Sequence, residues 1–418
     1  MLDNVLPFWL RHSQDFECGG YYTCLDRDGR VFDTDKFIWL QGREIWLFSM
    51  LYNKVEKRKE WLDCAIQGGE FLKKYGHDGH YNWYFSLDRQ GNPLVEPYNI
   101  FSYTFATMAF GQLNLATGNR EYAEIAKKTF DIILSKVDNP KGRWNKQHPG
   151  TRNLKGFALP MILCNLALEI EHLLAEDYLL KTMDTCIHEV MEVFLRPELG
   201  GIIVENLNED NSLVDCFEGR QVTPGHAIEA MWFIMDLGKR LNHPELINKA
   251  KDTALKMLEY GWDEEFGGIY YFMDRNGFPP QQLEWDQKLW WVHIETLISL
   301  LKGYHLTGDR QCLEWFNKVH DYTWTHFKDT GKYTGKEVVQ LYIGDPEASV
   351  SRPVIELKDF QKVDFAPGET KTVTFRITTG QLKFYNQDLK YDWEAGKFNI
   401  SVGPNSRELQ KLTMTWDK

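Results

Sequence analysis

The sequence predicts a mainly α-helical chain. We expect a double ring of helices, an (α/α)6-type toroid missing its last inner helix, followed by a small all-β sandwich. Three observations carry this. Gly-rich, aromatic, hairpin-like stretches recur about every 60 residues, the mark of a repeat architecture. Each is preceded by a charged amphipathic segment and followed by a more apolar one. From residue 331 the hydrophobic period switches from helical spacing to alternation.

The hairpins are read at 15–30 (DFECGGYYTCLDRDGR), 77–92, 139–152, 197–212 and 263–277. Their Asp-Arg-x-Gly endings are turn chemistry, with glycine free to take positive φ. The charged helices before them are expected at 3–13, 60–76, 120–137, 176–195, 245–262 and 309–327. In the last, Cys312, Trp315, Phe316 and Val319 share a face, which makes it an outer, half-solvated helix. The apolar helices are expected at 38–54, 98–117, 157–174, 224–241 and 288–306. AIEAMWFIMDL in the fourth has almost no polar face, so it belongs inside. Six outer helices thus meet five hairpins and five inner helices, and the pattern stops near residue 328. Beyond it KEVVQLYIGD, KDFQKVDF, TKTVTFRIT and GKFNISVG alternate as strands of a sandwich. Two domains follow, 1–328 and 331–418.

Composition narrows the function. The net charge is -12, and residues 1–330 hold the whole deficit, about -13. Nucleic acid is therefore an unsuitable partner. No apolar run approaches the ~20 residues of a membrane span. The start MLDNVLPFWLRHSQD lacks the basic and small-residue pattern of an export signal. The seven Cys lack metal-type spacing, which fits reduced thiols. Together these point to a cytoplasmic chain with no membrane partner and no metal. Fifteen Trp, thirteen of them before residue 330, fit either a large core or stacking against sugar faces.

The candidate chemistry lies at the starts of inner helices. In TPGHAIEA (223–230) Thr223 is an expected N-cap and Pro224 suits the first turn. His226 and Glu229 then share a face, and the helix N-terminus should keep the imidazole neutral. In KLWWVHIETL (288–297) Trp291 and Glu295 share a face. A carboxylate on an apolar inner helix implies a polar cavity. His293 points elsewhere and reads as structural. In KFIWLQGRE (36–44) Arg43 is a cation for a substrate hydroxyl or a developing oxyanion, or else part of an ion pair. No phosphate-binding loop, dinucleotide fingerprint, nucleophile elbow or zinc-protease motif is present.

KFIWLQGRE, ALPMILCNL (158–166), FEGR (217–220), PGHAIEAMW (224–232) and EWDQKLWWVHIETL (284–297) together resemble the N-acylglucosamine 2-epimerase family. The resemblance implies a sugar 2-epimerase that interconverts N-acetylglucosamine and N-acetylmannosamine by deprotonation and reprotonation at C2. It implies His226 as an acid/base group, Glu229 and Glu295 as groups that orient and tune the site, and Arg43 on the C1 oxygen. Trp291, Trp39 and Gln41 are the expected sugar contacts. No metal or redox cofactor is required. Some members are activated by a nucleotide such as ATP, and no motif locates such a site here. Members often dimerise, so a homodimer is the implied assembly. The family's last hairpin and inner helix carry a His-x-Pro-Arg type motif, absent here, so turnover is expected to be impaired. The alternatives are an aldose–ketose isomerase and a non-catalytic sugar-binding chimera. Residues 331–418 resemble the fibronectin type III-like domain of family 3 glycoside hydrolases of the β-glucosidase type, a structural accessory with no transferable catalytic residue.

Overall fold

The computed structural model describes residues 2–97, 99–137, 148, 151–328, 335–366 and 368–418. The chain divides into two compact parts, Met1–Lys328 and Asp329–Lys418. Most of the third expected hairpin (139–152), and the junction near 328–331, lie outside the described residues.

The first part runs through twelve described α-helices. They are α1 (Val5–His12), α2 (Ile38–Lys54), α3 (Lys59–Tyr75), α4 (Phe101–Thr117), α5 (Arg120–Ser135), α6 (Ala158–Glu169), α7 (Glu176–His188), α8 (Phe217–Arg220), α9 (Pro224–Arg240), α10 (Pro244–Gly261), α11 (Trp290–Thr307) and α12 (Arg310–His326). Inner helices pack in succession, α2 on α4, α4 on α6, α6 on α9 and α9 on α11. The outer helices α3, α5, α7, α10 and α12 each back the inner helix of their own repeat. This is the double ring that the alternation of apolar and charged segments predicts. Asn119 and Asp309 cap α5 and α12 by accepting from Glu121 N and Gln311 N. Two boundaries differ from expectation. α7 ends early, and Glu189–Phe194 continues as a π-helix. α6 ends at Glu169, with a short 3₁₀ turn at Glu171–Leu173.

Short ladders sew the ring together. The strand before α2 (Lys36–Phe37) pairs with Ser86–Leu87 in the next repeat's hairpin. The strand before α6 (Leu154–Gly156) pairs with Asn206–Asn208, and the one before α9 (Gln221–Val222) with Met273–Asp274. An inner-helix start is thus held by the hairpin that follows it around the ring. Lys288–Leu289, before α11, form no such ladder among the described residues. The stretch between His326 and Gly335 is shorter than even the smallest inner helix, of 12 residues. Among the described residues, no sixth inner helix follows α12. On α11, Trp290 is 61% exposed, Leu301 54% and Tyr304 38%.

Among its described residues the second part holds a four-stranded antiparallel sheet and a two-stranded ladder, Phe384–Tyr385 with Tyr391–Asp392. The four-stranded sheet is the larger. Its strands lie in the order Glu356–Phe365, Gly335–Gly344, Gly396–Gly403, Gln410–Trp416. Leu341, Ile343, Leu382, Phe398 and Ile400 form its small core. TKTVTFRIT, expected as a strand, forms no ladder, although its Phe375 and Ile377 pack on that core. Gln410–Trp416, which the alternation reading passed over, is the strand that pairs along Gly396–Gly403.

Candidate active site

Inner-helix starts bring the candidates together. Thr223 occupies the N-cap of α9 and Pro224 its first turn, although the Thr223 side chain makes no capping bond. His226 follows in that turn, and its Nδ1 lies 3.1 Å from Glu205 Oε1. Trp291 packs beside the imidazole, with ring centroids 5.6 Å apart. Gly225 makes this approach possible, because a Cβ there would meet Trp291 and Val292 at 2.9 Å. Glu229 stands one turn further along α9. Glu295, on α11, accepts from Trp232 Nε1 at 2.8 Å.

Arg43 supplies the cation. Its guanidinium lies over the Phe105 ring at 4.6 Å and the Trp39 ring at 5.6 Å. Gly42 lets α2 come this close, since a Cβ would strike the Phe105 carbonyl oxygen at 2.8 Å. No ion pair to Arg43 is found among the described residues, so the salt-bridge reading of this cation gains no support. Its neighbour Glu44 turns the other way and is held by the Ser13 hydroxyl. Burial pushes Glu44 up to about 8, against the pull of that hydrogen bond.

The electrostatics of the cluster are those of crowded carboxyls. Desolvation, then the charge of Glu295, raise Glu229 above the ordinary carboxylate range, while His226 and Arg43 pull it back. Desolvation also raises Glu295, opposed by the Trp232 hydrogen bond and by Arg43. Two like charges in a desolvated space cannot both ionise freely, so the pair retains a proton to higher pH than free carboxyls do. His226 departs from the sequence expectation. Desolvation does act to lower it, but the Glu205 carboxylate, and then Glu229, outweigh this and hold it above its ordinary value.

Gln41 is the candidate that does not join the cluster. It is fully buried, and both ends of its amide are used by Tyr21: Oε1 accepts from Tyr21 N and Nε2 donates to Tyr21 O, each at 2.8 Å. The expectation of a sugar contact gives way to a tie between α2 and the first hairpin. His293 has the structural role expected of it. It is buried, its Nε2 accepts from Ile269 N at 3.1 Å, and burial lowers it to about 4. Arg220 of FEGR is likewise committed, to Asp274 and Asp215. Glu205 and Trp232 are the polar groups that sequence reasoning missed. Glu205 sits in a hairpin with no motif around it, and Trp232 lies in a run that reads as pure core.

No group of three or more His, Cys, Asp or Glu suited to a metal ion occurs among the described residues. None of the described helices is long and apolar enough to cross a membrane.

Residues 20–336 match the family N-acylglucosamine 2-epimerase (GlcNAc 2-epimerase). Residues 337–406 match the fibronectin type III-like domain. The N-acylglucosamine 2-epimerase of Mus musculus is 39% identical over 339 residues, 78% of this chain and 80% of the mouse protein. The Homo sapiens enzyme of the same name is 38% identical over 337 residues, 78% of each chain. The structure of cellobiose 2-epimerase from Bacillus thermoamylovorans superposes with a TM-score of 0.66 at 22% identity, covering 78% of this chain and 85% of that one. At that identity the likeness speaks for the toroid fold. A periplasmic beta-glucosidase of Salmonella typhimurium is 49% identical over 83 residues, 20% of this chain and 11% of that enzyme. This chain therefore belongs, through its ring of helices, to the N-acylglucosamine 2-epimerase family of isomerases, and it carries a fibronectin type III-like domain after that ring.

Proposed function

We propose that the ring interconverts N-acetylglucosamine and N-acetylmannosamine by moving the C2 proton of the open-chain sugar. One observation carries this reading: a histidine paired with a carboxylate, two proton-retaining carboxyls and an aromatic-bound arginine meet at the starts of three inner helices. The aldehyde at C1 acidifies the C2–H bond. His226 takes that proton through Nε2, and the electron pair moves onto the C1 oxygen as an enolate. Arg43 stabilises that oxyanion. The raised Glu229–Glu295 pair limits the negative charge around it. Return of a proton to the opposite face of C2 gives the epimer. Among the described residues the ring shows five inner helices, and the sequence has no histidine after His326, so the second proton donor that the family resemblance places on the sixth has no counterpart here. Reprotonation then falls to solvent or to a neutral carboxyl, and turnover is slow. Trp291 and Trp39 are the proposed stacking surfaces for the sugar. The site needs no metal, and we place the chain in the cytoplasm as a homodimer.

The test is incubation with N-acetylglucosamine in D₂O, following the C2 proton by NMR, with His226→Ala as the control. Loss of the signal, with N-acetylmannosamine accumulating and both abolished by the substitution, is the expected result. No loss of signal in folded protein overturns the reading. Ligand-dependent thermal stabilisation without exchange would then mark a sugar-binding module. Fructose formed from mannose, without inversion at C2, would mark an aldose–ketose isomerase.

A further inference from the structure

We propose that Glu205 is a positioning residue for proton transfer, fixing the His226 tautomer so that Nε2 faces the sugar as a base. The proposal rests on the proton-transfer reading of the site given above. Its geometry begins in the backbone. Glu205 N donates to Gln221 O at 3.2 Å, and Glu205 O accepts from Phe157 N at 2.9 Å. The carrier of the carboxylate is thereby tied to the start of α6 and to the strand that leads into α9. Gln221 stands five residues before His226, so the carboxylate and the imidazole hang from one hydrogen-bonded frame. The Glu205 side chain is 10% exposed, and its Oε1 is 3.1 Å from His226 Nδ1.

An ionised carboxylate only accepts, so this contact requires the proton on Nδ1. Nε2 is left with its lone pair. When Nε2 takes the C2 proton, the imidazolium forms beside a fixed negative charge. The other groups around the ring do not substitute for Glu205. Glu229, on the same helix, acts through space and sits among the proton-retaining pair. Trp291 of α11 touches the imidazole with a ring face and offers no acceptor. Tyr271, which feels the charges of Glu284 and Glu205, is itself held in its neutral form by burial. Arg43 reaches the histidine only through Glu229 and Glu295.

Glu205→Gln is the discriminating variant, because an amide of the same shape can donate to Nδ1 and reverse the tautomer. Two readouts on the full chain test it. The first needs no sugar: ¹⁵N NMR of the histidine rings, with His226→Asn to assign the signal. We expect wild-type His226 as the Nδ1–H tautomer, with a titration midpoint that falls in Glu205→Gln. The second is the C2 proton exchange rate against pH. We expect a loss of about 10²–10⁴-fold at neutral pH, the range of a general base, with KM little changed. An Nε2–H tautomer in the wild type overturns the proposal, and so does an unshifted midpoint in a folded variant. The wild-type tautomer decides the matter even if the variant does not fold. Absence of exchange in the wild type would overturn the proposed reaction, while the ring titration would still judge Glu205.

Discussion

The first and fifth repeats are built on one plan and used for opposite charges. In the first, Lys36 reaches Asp15 at 3.0 Å and Gln41 ties α2 to Tyr21. In the fifth, Lys288 reaches Asp263 at 3.0 Å and His293 ties α11 to Ile269. Both aspartates also accept from backbone amides of the turn that follows, Glu17 and Cys18 in one, Glu265 and Phe266 in the other. Seven positions after each lysine, a side chain enters the central cluster. It is Arg43 in one repeat and Glu295 in the other. The repeat therefore supplies the support, and the same position in the two repeats gives the site opposite charges. The supports themselves are unequal. Asp15 also binds Arg89 and is 1% exposed with Lys36 at 0%, while Lys288 and Asp263 keep some contact with solvent.

The largest test of that inequality is removal of each aspartate charge. Asp15→Asn leaves Lys36 buried without a counter-charge and should cost about 3–5 kcal/mol. Asp263→Asn, nearer the surface, should cost about 1–3 kcal/mol. Urea denaturation measures both, and equal losses would mean that the two supports are equivalent. Burial works against both partners of the first pair. It lowers Lys36 despite Asp15, whereas Asp15 stays below the carboxylate range because Arg89, the Cys18 amide and Lys36 outweigh its own desolvation. In Asp263, desolvation is outweighed by the Phe266 amide and Lys288, and the pKa falls to about 2. A carboxyl depressed in the folded state stabilises fully above its unfolded value of ~3.9 and loses that contribution as pH falls through the folded value. Stability should thus decline between about pH 4 and 2, and less steeply in Asp263→Asn. An unchanged slope would remove Asp263 from the acid transition.

The next test strikes the position where the repeats diverge. Arg43→Met should slow C2 exchange by about 10²–10³-fold, the usual cost of losing an oxyanion partner. Stability should change less than the rate, since among the described residues the guanidinium makes ring contacts and otherwise acts on Glu229 and Glu295 through space. A rate within a few-fold of wild type would assign the oxyanion to another group. A smaller effect belongs to the ties. His293→Ala strands the Ile269 N–H and should cost about 1–3 kcal/mol by thermal or urea melts. His293→Gln borrows the first repeat's solution and should cost less, about 1 kcal/mol or under. If the two are equally harmful, Gln41 and His293 are not counterparts.

The ring was legible because its signals are long. Alternating apolar and charged stretches place α2, α3, α5 and α9 within a residue or two at most ends. The five-to-six imbalance of inner and outer helices is also visible in the pattern. His226, Glu229, Glu295, Trp291 and Arg43 stand out as polar or aromatic groups at helix starts. The misses in the site share a cause, which is that hydrogen bonding outside regular periodicity is silent in a sequence. Gln41 lies on the same helix as Arg43, and only the partner Tyr21 shows that its amide is spent. Glu205 is one acid among many until the ladder sets it against His226. The strand at Gln410–Trp416 does alternate, through Leu412, Met414 and Trp416, and is passed over despite that signal, whereas TKTVTFRIT looks paired and only packs.

The Asp–Lys ties bear on how the rim of the ring can be rewritten. The fifth repeat carries four more residues between Asp263 and Lys288 than the first carries between Asp15 and Lys36, yet both ties close at 3.0 Å. Each tie thus behaves as a clasp whose loop length is free. Segments between the clasped residues, such as FPPQQLEWDQ (278–287), are natural sites for grafting or lengthening when a different sugar is wanted. The clasps would keep the helix starts, and the groups mounted on them, where they stand.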